Sequence, residues 1–139
     1  MEPVLDIHKT YHPPFKPVHI CDAWLSPETV VPPVTRIEVS PEIGGFIQLI
    51  VEGDEAISTM TGWIEDLEPA KRLAYNWEWD EDGHRTLVTV ELKPEAGSTR
   101  IEIAHTGFQN QHSFGNHDLG WDQYVAGIGR ILPRHRQGS

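Results

Sequence analysis

A chain of 139 residues is long enough for one compact domain with a buried core and short for two. Its 11 Lys and Arg against 21 Asp and Glu give a net charge of −10, which disfavours nucleic acid and anionic membrane surfaces as partners. No apolar run reaches the ~20 residues that span a bilayer and no signal peptide is evident, so we expect a cytoplasmic protein. Cys21 is the single cysteine, which excludes an intrachain disulfide and a thiolate metal cluster and predicts a buried thiol.

The N-terminal part of the chain combines a strand with short helices. Residues 4–10 alternate apolar and polar side chains, which predicts an edge strand. Pro17 suits the first turn of a helix in which Ile20 and Trp24, four residues apart, share one face. We expect a second short helix after Glu28, to which the following prolines leave little length.

The middle of the chain is predicted to be β structure. From Thr35 onward, apolar and polar residues alternate over about seventy positions, with turn residues at intervals. Asp82-Gly83 indicates a hairpin, because glycine accepts the positive φ that such turns require. The later strands have one apolar and one charged face, so this antiparallel sheet needs an apolar cover on one side. The predicted strands are residues 36–39, 46–51, 58–67, 73–79, 86–93 and 99–106.

The cover is a C-terminal helix predicted from about Asn116 to Pro133. Gly127 and Gly129 each weaken a helix by roughly 1 kcal/mol relative to alanine, which indicates a close backbone approach or a soft C-terminal half. Together these elements predict an α+β fold with space between the sheet and the helix. The apolar side chains at helical spacing are Trp121, Tyr124, Val125, Ile128, Ile131 and Leu132.

Aromatic residues are spaced so that they could line the covered face of the sheet. Strand alternation places Trp63, Leu73 and Tyr75 there, followed by further aromatic side chains. The alternative is a packed core, although five tryptophans exceed what a small core needs, and flat aromatic walls favour flat or aliphatic ligands. The predicted ligand-binding residues are Trp63, Glu65, Tyr75, Trp77, Trp79, Val88, Ile103, His105, Phe108, Trp121, Tyr124 and Ile128.

His105 and Glu65 are the candidates for catalysis. A histidine that faces a cleft can transfer protons near neutral pH, and Glu65 shares strand parity with Trp63 and Leu67. The structural alternative is a hydrogen-bonded histidine near the rim of the cavity and a solvent-facing glutamate on an edge or bulged strand. We favour this alternative, because buried polar groups usually serve packing and orientation.

The segment 109–117 is rich in polar residues. His112, His117 and Asp118 could offer ligands to zinc, but nothing in their spacing fixes them on one face, so we favour a polar loop or lid. Phe108 and Phe114 would then close the cavity as apolar plugs. No nucleophile elbow or phosphate-binding glycine loop is present, and we expect neither a metal nor a cofactor.

An ordered set of motifs resembles the activator of Hsp90 ATPase homologue-like (AHSA1-like) family of the START-like, or SRPBCC, superfamily, over about Phe15 to Leu132. The resemblance implies one domain over residues 1–139 with a helix-grip, Bet v 1-like fold, in which a six- or seven-stranded antiparallel sheet wraps around the C-terminal helix. It also implies two short helices after the first strand and a deep cavity. The motifs are Pro41-Glu42-Ile43-Gly44-Gly45, Gly62-Trp63-Ile64-Glu65-Asp66-Leu67-Glu68-Pro69, Arg72-Leu73-Ala74-Tyr75-Asn76-Trp77, residues 99–108 and Gly120-Trp121.

The chain departs from the family pattern at two places. A tryptophan that the family often carries after its second short helix is replaced here by Val30-Val31-Pro32-Pro33. Trp63 and Trp79 are larger than the resemblance leads us to expect, which predicts a smaller, flatter or more aromatic pocket.

Three functions are compatible with these patterns. We favour a non-enzymatic protein that binds a small hydrophobic molecule, such as a lipid, a polyketide-like or an aromatic metabolite. The second is an enzyme of the cyclase or hydrolase type that uses His105 with Glu65 or Tyr75. The third is a cochaperone-like regulator of an Hsp90-type ATPase, suggested by the family name. An edge strand and the proline-rich segment could also support a homodimer.

Overall fold

Seven antiparallel strands form one sheet in the order β1-β7-β6-β5-β4-β3-β2. The computed structural model describes residues 5–31, 34–79, 85–108 and 120–132. Each strand except β1 pairs with its neighbour in sequence, and β1 pairs with β7. The elements are β1 (Leu5–Tyr11), α1 (Pro17–Trp24), β2 (Arg36–Val39), β3 (Phe46–Glu52), β4 (Ile57–Glu68), β5 (Arg72–Trp79), β6 (Thr86–Glu95), β7 (Ser98–Phe108) and α2 (120–132).

The predicted second short helix is wrong for the described residues. Residues 25–31, which we call the strap, form turns and extended backbone after α1. The Thr29 hydroxyl donates a 2.6 Å hydrogen bond to the backbone carbonyl of Ala23. The same carbonyl accepts the backbone N–H of Ser26 at 3.2 Å, so two hydrogen bonds at the end of α1 hold the turn that leads into the strap.

Strand β4 contains a bulge that decides which of its side chains face α2. The pairing with β5 shifts between Ile64 and Asp66, which leaves Glu65 as the extra residue. Met60, Gly62 and Ile64 are buried on the covered face before the bulge. One inserted residue reverses the alternation, so Leu67 packs against the core after the bulge.

Two site predictions fail because of this bulge. Trp63 and Glu65 were assigned to the covered face by their parity with Leu67, and the reversal at Glu65 places both on the outer face. Glu65 is exposed, as the structural alternative predicted. Trp63 is 48% exposed and its ring packs edge-on against Phe46, with centroids 6.1 Å apart.

The core fills the space between the sheet and α2 most completely at β1, β6 and β7. Ile7, Val88, Ile101 and Ile103 are almost fully buried there, and Ile128 of α2 belongs to the same continuous cluster. The buried hydrophobic side chains of these three strands are Ile7, Val88, Val90, Leu92, Ile101 and Ile103.

Gly127 brings the strap against α2. A Cβ atom at this position would lie 2.5 Å from Cγ2 of Val31, a distance that real side chains do not reach. The missing side chain therefore lets Val31 occupy the helix surface. This confirms close backbone approach as the reason for glycine at Gly127, whereas a Cβ at Gly129 would make an ordinary 4.0 Å contact with Phe15.

Several predictions fall on other parts of the chain. They concern Val4, Pro32-Pro33, the Asp82-Gly83 hairpin, His112, Phe114, Asn116, His117, Asp118 and Pro133, which lie outside the described residues. The backbone of Phe108 ends β7, and its side chain is also outside the description. Within the described ranges, no helix has the length and apolar character needed to cross a bilayer.

Candidate functional site

A pocket of about 450 Å³ lies between α2 and the half of the sheet formed by β2 to β5. The end of α1, the strap and the beginning of the described part of α2 complete its walls. The lining residues are Trp24, Val31, Val34, Ile37, Ile47, Leu49, Val51, Met60, Tyr75, Trp77, Trp79, Gly120, Trp121, Gln123 and Tyr124.

One end of the pocket is a continuous aromatic wall. Trp24 stacks on Trp121 with centroids 5.9 Å apart, and Tyr124 meets Trp24 edge-on at 5.0 Å. Trp77 continues the wall, 5.6 Å from Trp121 and 6.2 Å from Trp79. Offset and edge-on contacts at these distances are the favourable arrangements of aromatic rings. The aromatic wall consists of Trp24, Tyr75, Trp77, Trp79, Trp121 and Tyr124.

The opposite end of the pocket is aliphatic. Ile47, Leu49 and Val51 occupy alternate positions of β3, so all three side chains face the pocket. Among the residues that line the pocket in the described part of the chain, none is Asp, Glu, Lys, Arg or His. The aliphatic end consists of Val31, Val34, Ile37, Ile47, Leu49, Val51 and Met60.

His105 lies behind the aromatic wall and is fully buried. The indole N–H of Trp121 donates to His105 Nδ1 at 3.0 Å, and His105 Nε2 lies 2.6 Å from the hydroxyl of Thr86. Because an indole nitrogen can only donate, Nδ1 must accept, and the proton of a neutral imidazole is on Nε2. The Thr86 hydroxyl in turn donates to the carbonyl of Trp77 at 3.3 Å. His105 thus holds the ring of Trp121 in place.

A second hydrogen bond ties two residues of the aromatic wall together. The indole N–H of Trp24 donates to the hydroxyl of Tyr75 at 3.2 Å. Burial raises the pKa of the Tyr75 hydroxyl far above its usual range, and this outweighs the lowering effect of the Trp24 hydrogen bond. Burial likewise raises the pKa of Tyr124, and the neighbouring Tyr75 adds to the shift. Both phenols are therefore neutral at physiological pH.

Gly62 gives the ring of Tyr75 its position. A Cβ at Gly62 would lie 2.9 Å from Cδ2 of Tyr75 and 2.2 Å from the carbonyl oxygen of Asn76. A side chain here would displace β5 or the ring. The Gly62-Trp63 pair thus has two separate roles, since glycine admits Tyr75 on the inner face and Trp63 lies outside.

The structure divides the predicted site residues into separate groups. Trp63 and Glu65 are on the outer face, and the side chain of Phe108 is outside the described residues. Val88, Ile103, Ile128 and His105 are buried without lining the pocket. The five that line it are Tyr75, Trp77, Trp79, Trp121 and Tyr124.

Sequence reasoning missed the aliphatic end, because none of its seven residues is among the predicted ligand-binding residues. The alternation of Ile47, Leu49 and Val51 was a usable signal, because residues at that spacing share one face. The sequence places Trp24 on one face of a helix but does not indicate which part of the chain that face packs against. Nothing in the sequence of the strap indicates that Val31 reaches the pocket.

The remaining candidate groups add no chemistry to the pocket. Cys21 is buried, and its desolvation raises the pKa of the thiol, as expected of an unreactive cysteine. No cluster of three or more potential metal ligands occurs within the described ranges. His112, His117 and Asp118, the residues weighed as zinc ligands, lie outside those ranges.

Comparison with known proteins gives the fold and a family match. A family model described as Activator of Hsp90 ATPase homolog 1-like protein matches residues 16–132. Protein MLL2253 from Mesorhizobium loti has a similar structure, with 20% identity and a TM-score of 0.78 over 94% of this chain and 98% of that one. Protein CV1439 from Chromobacterium violaceum gives 17% identity and a TM-score of 0.77 over 91% and 96%.

A third solved structure is also similar to this chain. Ara h 8.0201 is 12% identical, with a TM-score of 0.78 over 95% of this chain and 99% of that one. A comparison with curated proteins finds no match. At these identities the structural likeness shows the fold alone, which is the helix-grip, Bet v 1-like fold that the resemblance implied.

Proposed function

This chain belongs to the family of Activator of Hsp90 ATPase homolog 1-like proteins, and we propose that it binds a small hydrophobic molecule in the pocket between α2 and β2 to β5. The observation that carries the proposal is the pocket itself. It keeps about 450 Å³ of space although four tryptophans line it. Pockets of roughly 300 to 1,000 Å³ with a mainly apolar lining are typical of sites for small molecules.

The contrast between the two sides of the sheet supports this function. On the covered face at β1, β6 and β7 the hydrophobic side chains are buried in the core and do not line the pocket. Lipid, polyketide-like and aromatic molecules all fit a lining of rings and branched aliphatic side chains. The lone buried thiol of Cys21 accords with a reducing compartment, so we propose the cytoplasm as the place of action.

The enzymatic alternative loses its proposed partners in this geometry. Glu65 lies on the outer face, away from the buried His105. Both ring nitrogens of His105 are within hydrogen-bond distance of Trp121 and Thr86, and Tyr75 accepts its hydrogen bond from Trp24. We therefore propose that His105 positions the aromatic wall and does not exchange protons with a substrate.

Partner binding is a second candidate function, favoured by one observation on the outer face. Trp63 is half-exposed and rests on Phe46, and Ile43 nearby in the chain is exposed. A surface of this kind is what a cochaperone-like role would use. A homodimer through the edge strands β1 or β2 stays a prediction. Trp63→Gln separates the two functions, because it should weaken partner binding and leave the pocket intact.

Ligand binding is tested by blocking the pocket from within. Leu49→Trp places an indole in the aliphatic end, whereas Gln48→Trp places the same ring on the other face of β3 and serves as the matched control. The uncharged dye N-phenylnaphthylamine should bind the native protein saturably with increased fluorescence. Binding should be lost in Leu49→Trp and retained in Gln48→Trp.

Two results would contradict the proposal. One is an absence of saturable dye binding to the native protein, and the other is an equal loss in both tryptophan variants, which would place the dye elsewhere. Native mass spectrometry of freshly purified protein complements the titration. We expect a molecule from the host to accompany the native chain and to be absent from Leu49→Trp.

A further inference from the structure

The Tyr75 hydroxyl is a buried hydrogen-bond donor in the wall of the pocket. Tyr75 is 3% exposed, and its oxygen accepts the indole N–H of Trp24. An indole nitrogen has no lone pair to offer in return, so the phenolic hydrogen of Tyr75 is not used in this bond. The described part of the chain shows no other hydrogen bond to this hydroxyl. It is therefore available to a molecule in the pocket.

The environment keeps this donor neutral and strong. Burial raises the pKa of Tyr75, so the hydroxyl retains its proton throughout the physiological range. A phenol that accepts a hydrogen bond becomes a better donor, because successive hydrogen bonds polarise one another. A purely hydrocarbon ligand would leave the donor unpaired, and a buried unpaired donor weakens binding.

The charge distribution restricts the acceptor that Tyr75 can meet. No cationic side chain lines the pocket within the described ranges, and the whole chain carries a net charge of −10. The indole N–H groups of Trp24 and Trp121 are directed to Tyr75 and His105. A carboxylate would lose its hydration without gaining a counter-charge, which is strongly unfavourable. The amide of Gln123 also lines the pocket, but it is an exposed residue and carries no charge. This lining therefore favours an uncharged oxygen as the acceptor.

The two ends of the pocket restrict the shape of the ligand. The aromatic wall offers ring faces and edges to a planar group, because Trp121 packs against both Trp24 and Trp77. The aliphatic end offers branched side chains from β2 and β3, which suit an alkyl group. Tyr75 belongs to the aromatic wall, so the acceptor belongs to the planar part of the ligand.

We propose that the pocket selects an uncharged planar aromatic molecule that carries a neutral oxygen acceptor, such as a ketone or quinone oxygen, and an alkyl substituent. The Tyr75 hydroxyl donates to that oxygen, and Trp24 orients the hydroxyl. This inference rests on the proposed function, and it selects aromatic oxygen-bearing molecules over fatty acids and other anionic lipids.

Three naphthalene probes of similar size test this selection. Prodan is an uncharged naphthalene with a propionyl ketone. The 6-propyl analogue of dimethylnaphthylamine, called dimethylnaphthylamine for short, has a methylene group in place of the carbonyl, and dimethylaminonaphthoate has a carboxylate in place of the propionyl group. Fluorescence titration of the native protein should give the lowest dissociation constant for prodan. Dimethylnaphthylamine should bind about fivefold more weakly, as expected for one hydrogen bond, and the carboxylate at least about tenfold more weakly.

Three substitutions in the aromatic wall assign the preference to Tyr75. Tyr75→Phe should reduce the preference for prodan over dimethylnaphthylamine to near one and shift the emission of bound prodan to the blue, because its ketone loses a hydrogen bond. Tyr124→Phe removes the other phenol of the pocket and should retain the preference. Trp24→Phe removes the orienting N–H and should give an intermediate preference. Urea denaturation of each variant, compared with that of the native protein, shows that it is folded.

The outcomes separate this inference from the proposed function. If none of the three probes binds the native protein, the proposed function fails together with the inference. If the probes bind but Tyr75→Phe leaves the ketone preference unchanged, the inference alone is wrong. The same holds if the carboxylate binds as tightly as prodan, or if Tyr124→Phe rather than Tyr75→Phe removes the preference.

Discussion

The space beneath α2 is filled at one half of the sheet and open at the other. The packed half, formed by β1, β6 and β7, buries Ile7, Val88 and Ile103 almost completely. The open half, formed by β2 to β5, leaves Leu49 and Trp79 partly exposed beside the pocket. Both halves belong to the same sheet and face the same helix, so the difference must come from their side chains.

The shapes of those side chains account for the difference. Branched aliphatic groups interdigitate and fill space to the density of an organic crystal, as around Val88 and Ile103. Rigid rings such as Trp77 and Trp121 instead pack against one another and cannot bend into the remaining volume. His105 lies between the two halves and fixes the ring of Trp121. Rigid rings at one end of the open half thus leave a pocket without a change of fold.

The largest expected effect compares the same substitution in the two halves. Ile103→Ala removes packed atoms in the packed half. The resulting loss in the free energy of unfolding should lie near the upper end of the range of about 2–5 kcal/mol. Ile47→Ala in the open half should cost less, near the lower end of that range, because Ile47 already borders empty space and has fewer neighbouring atoms to lose. Urea denaturation of both variants measures the two values.

The two isoleucines have nearly the same burial, which makes the comparison well matched. Ile103 is 2% exposed and Ile47 is 4% exposed, so exposure to solvent alone predicts similar losses. Equal destabilisation would mean that the pocket closes around Ile47 in solution and that the two halves do not differ.

Much of the fold was predictable from the sequence, and the bulge shows what was not. The seven strands along the chain and the C-terminal helix follow from alternation, turn residues and the spacing of Trp121, Tyr124 and Ile128. Alternation shows only which residues of a regular strand share a face, however. The extra residue at Glu65 exchanges the two faces within one strand. No residue type marks that position, so Trp63 was assigned to the wrong face.

The pocket was predicted in part for a related reason. Tyr75, Trp77 and Trp79 share a strand, so one correct parity places all three. Trp24 and Val31 reach the pocket through long-range packing, since Trp24 bonds to Tyr75 and Val31 fits beside Gly127. Such contacts join distant segments, and the periodicity of a single segment does not contain them.

A smaller effect on stability is expected when a substitution in α2 pushes the strap towards the pocket. Gly127→Ala places a methyl group 2.5 Å from Cγ2 of Val31 and should displace that side chain towards the pocket. Overpacking costs about 1–3 kcal/mol, and the better helix propensity of alanine returns about 1 kcal/mol. We expect a net loss of stability of about 1 kcal/mol and a several-fold weaker affinity for N-phenylnaphthylamine, measured by urea denaturation and fluorescence titration.

A compensating change provides the control for this prediction. Val31→Ala removes the two methyl groups that the new Cβ would meet, so the double variant should recover most of the dye affinity. Failure of Val31→Ala to restore binding would show that Gly127→Ala acts through the helix itself and that the strap does not limit the pocket.

The smallest effect concerns the ion pair that fastens α2 to the packed half. Asp122 accepts a 2.6 Å hydrogen bond from the Tyr11 hydroxyl and pairs with Lys9 at 3.2 Å, and these two contacts lower the pKa of its carboxyl below 3.8. A lowered pKa means that Asp122 stabilises the fold at pH values above the pKa that it has in the unfolded chain. This contribution is lost as the pH falls through the lower pKa of the folded protein. The Asp122 side chain is 49% exposed, so solvent screening limits the contribution to at most about 1 kcal/mol.

Asp122→Asn should therefore reduce the urea midpoint at neutral pH and have a smaller effect in acid, once the pH falls through the lowered pKa of the native carboxyl. Tyr11→Phe removes the larger cause of the shift and should reproduce part of this pH dependence. Dye affinity should hardly change in either variant, because Asp122 points to β1 while Trp121 and Tyr124 face the pocket. A loss of dye binding equal to that of Gly127→Ala would mean that the packed half controls the open one, and the two halves would have to be treated as a single unit.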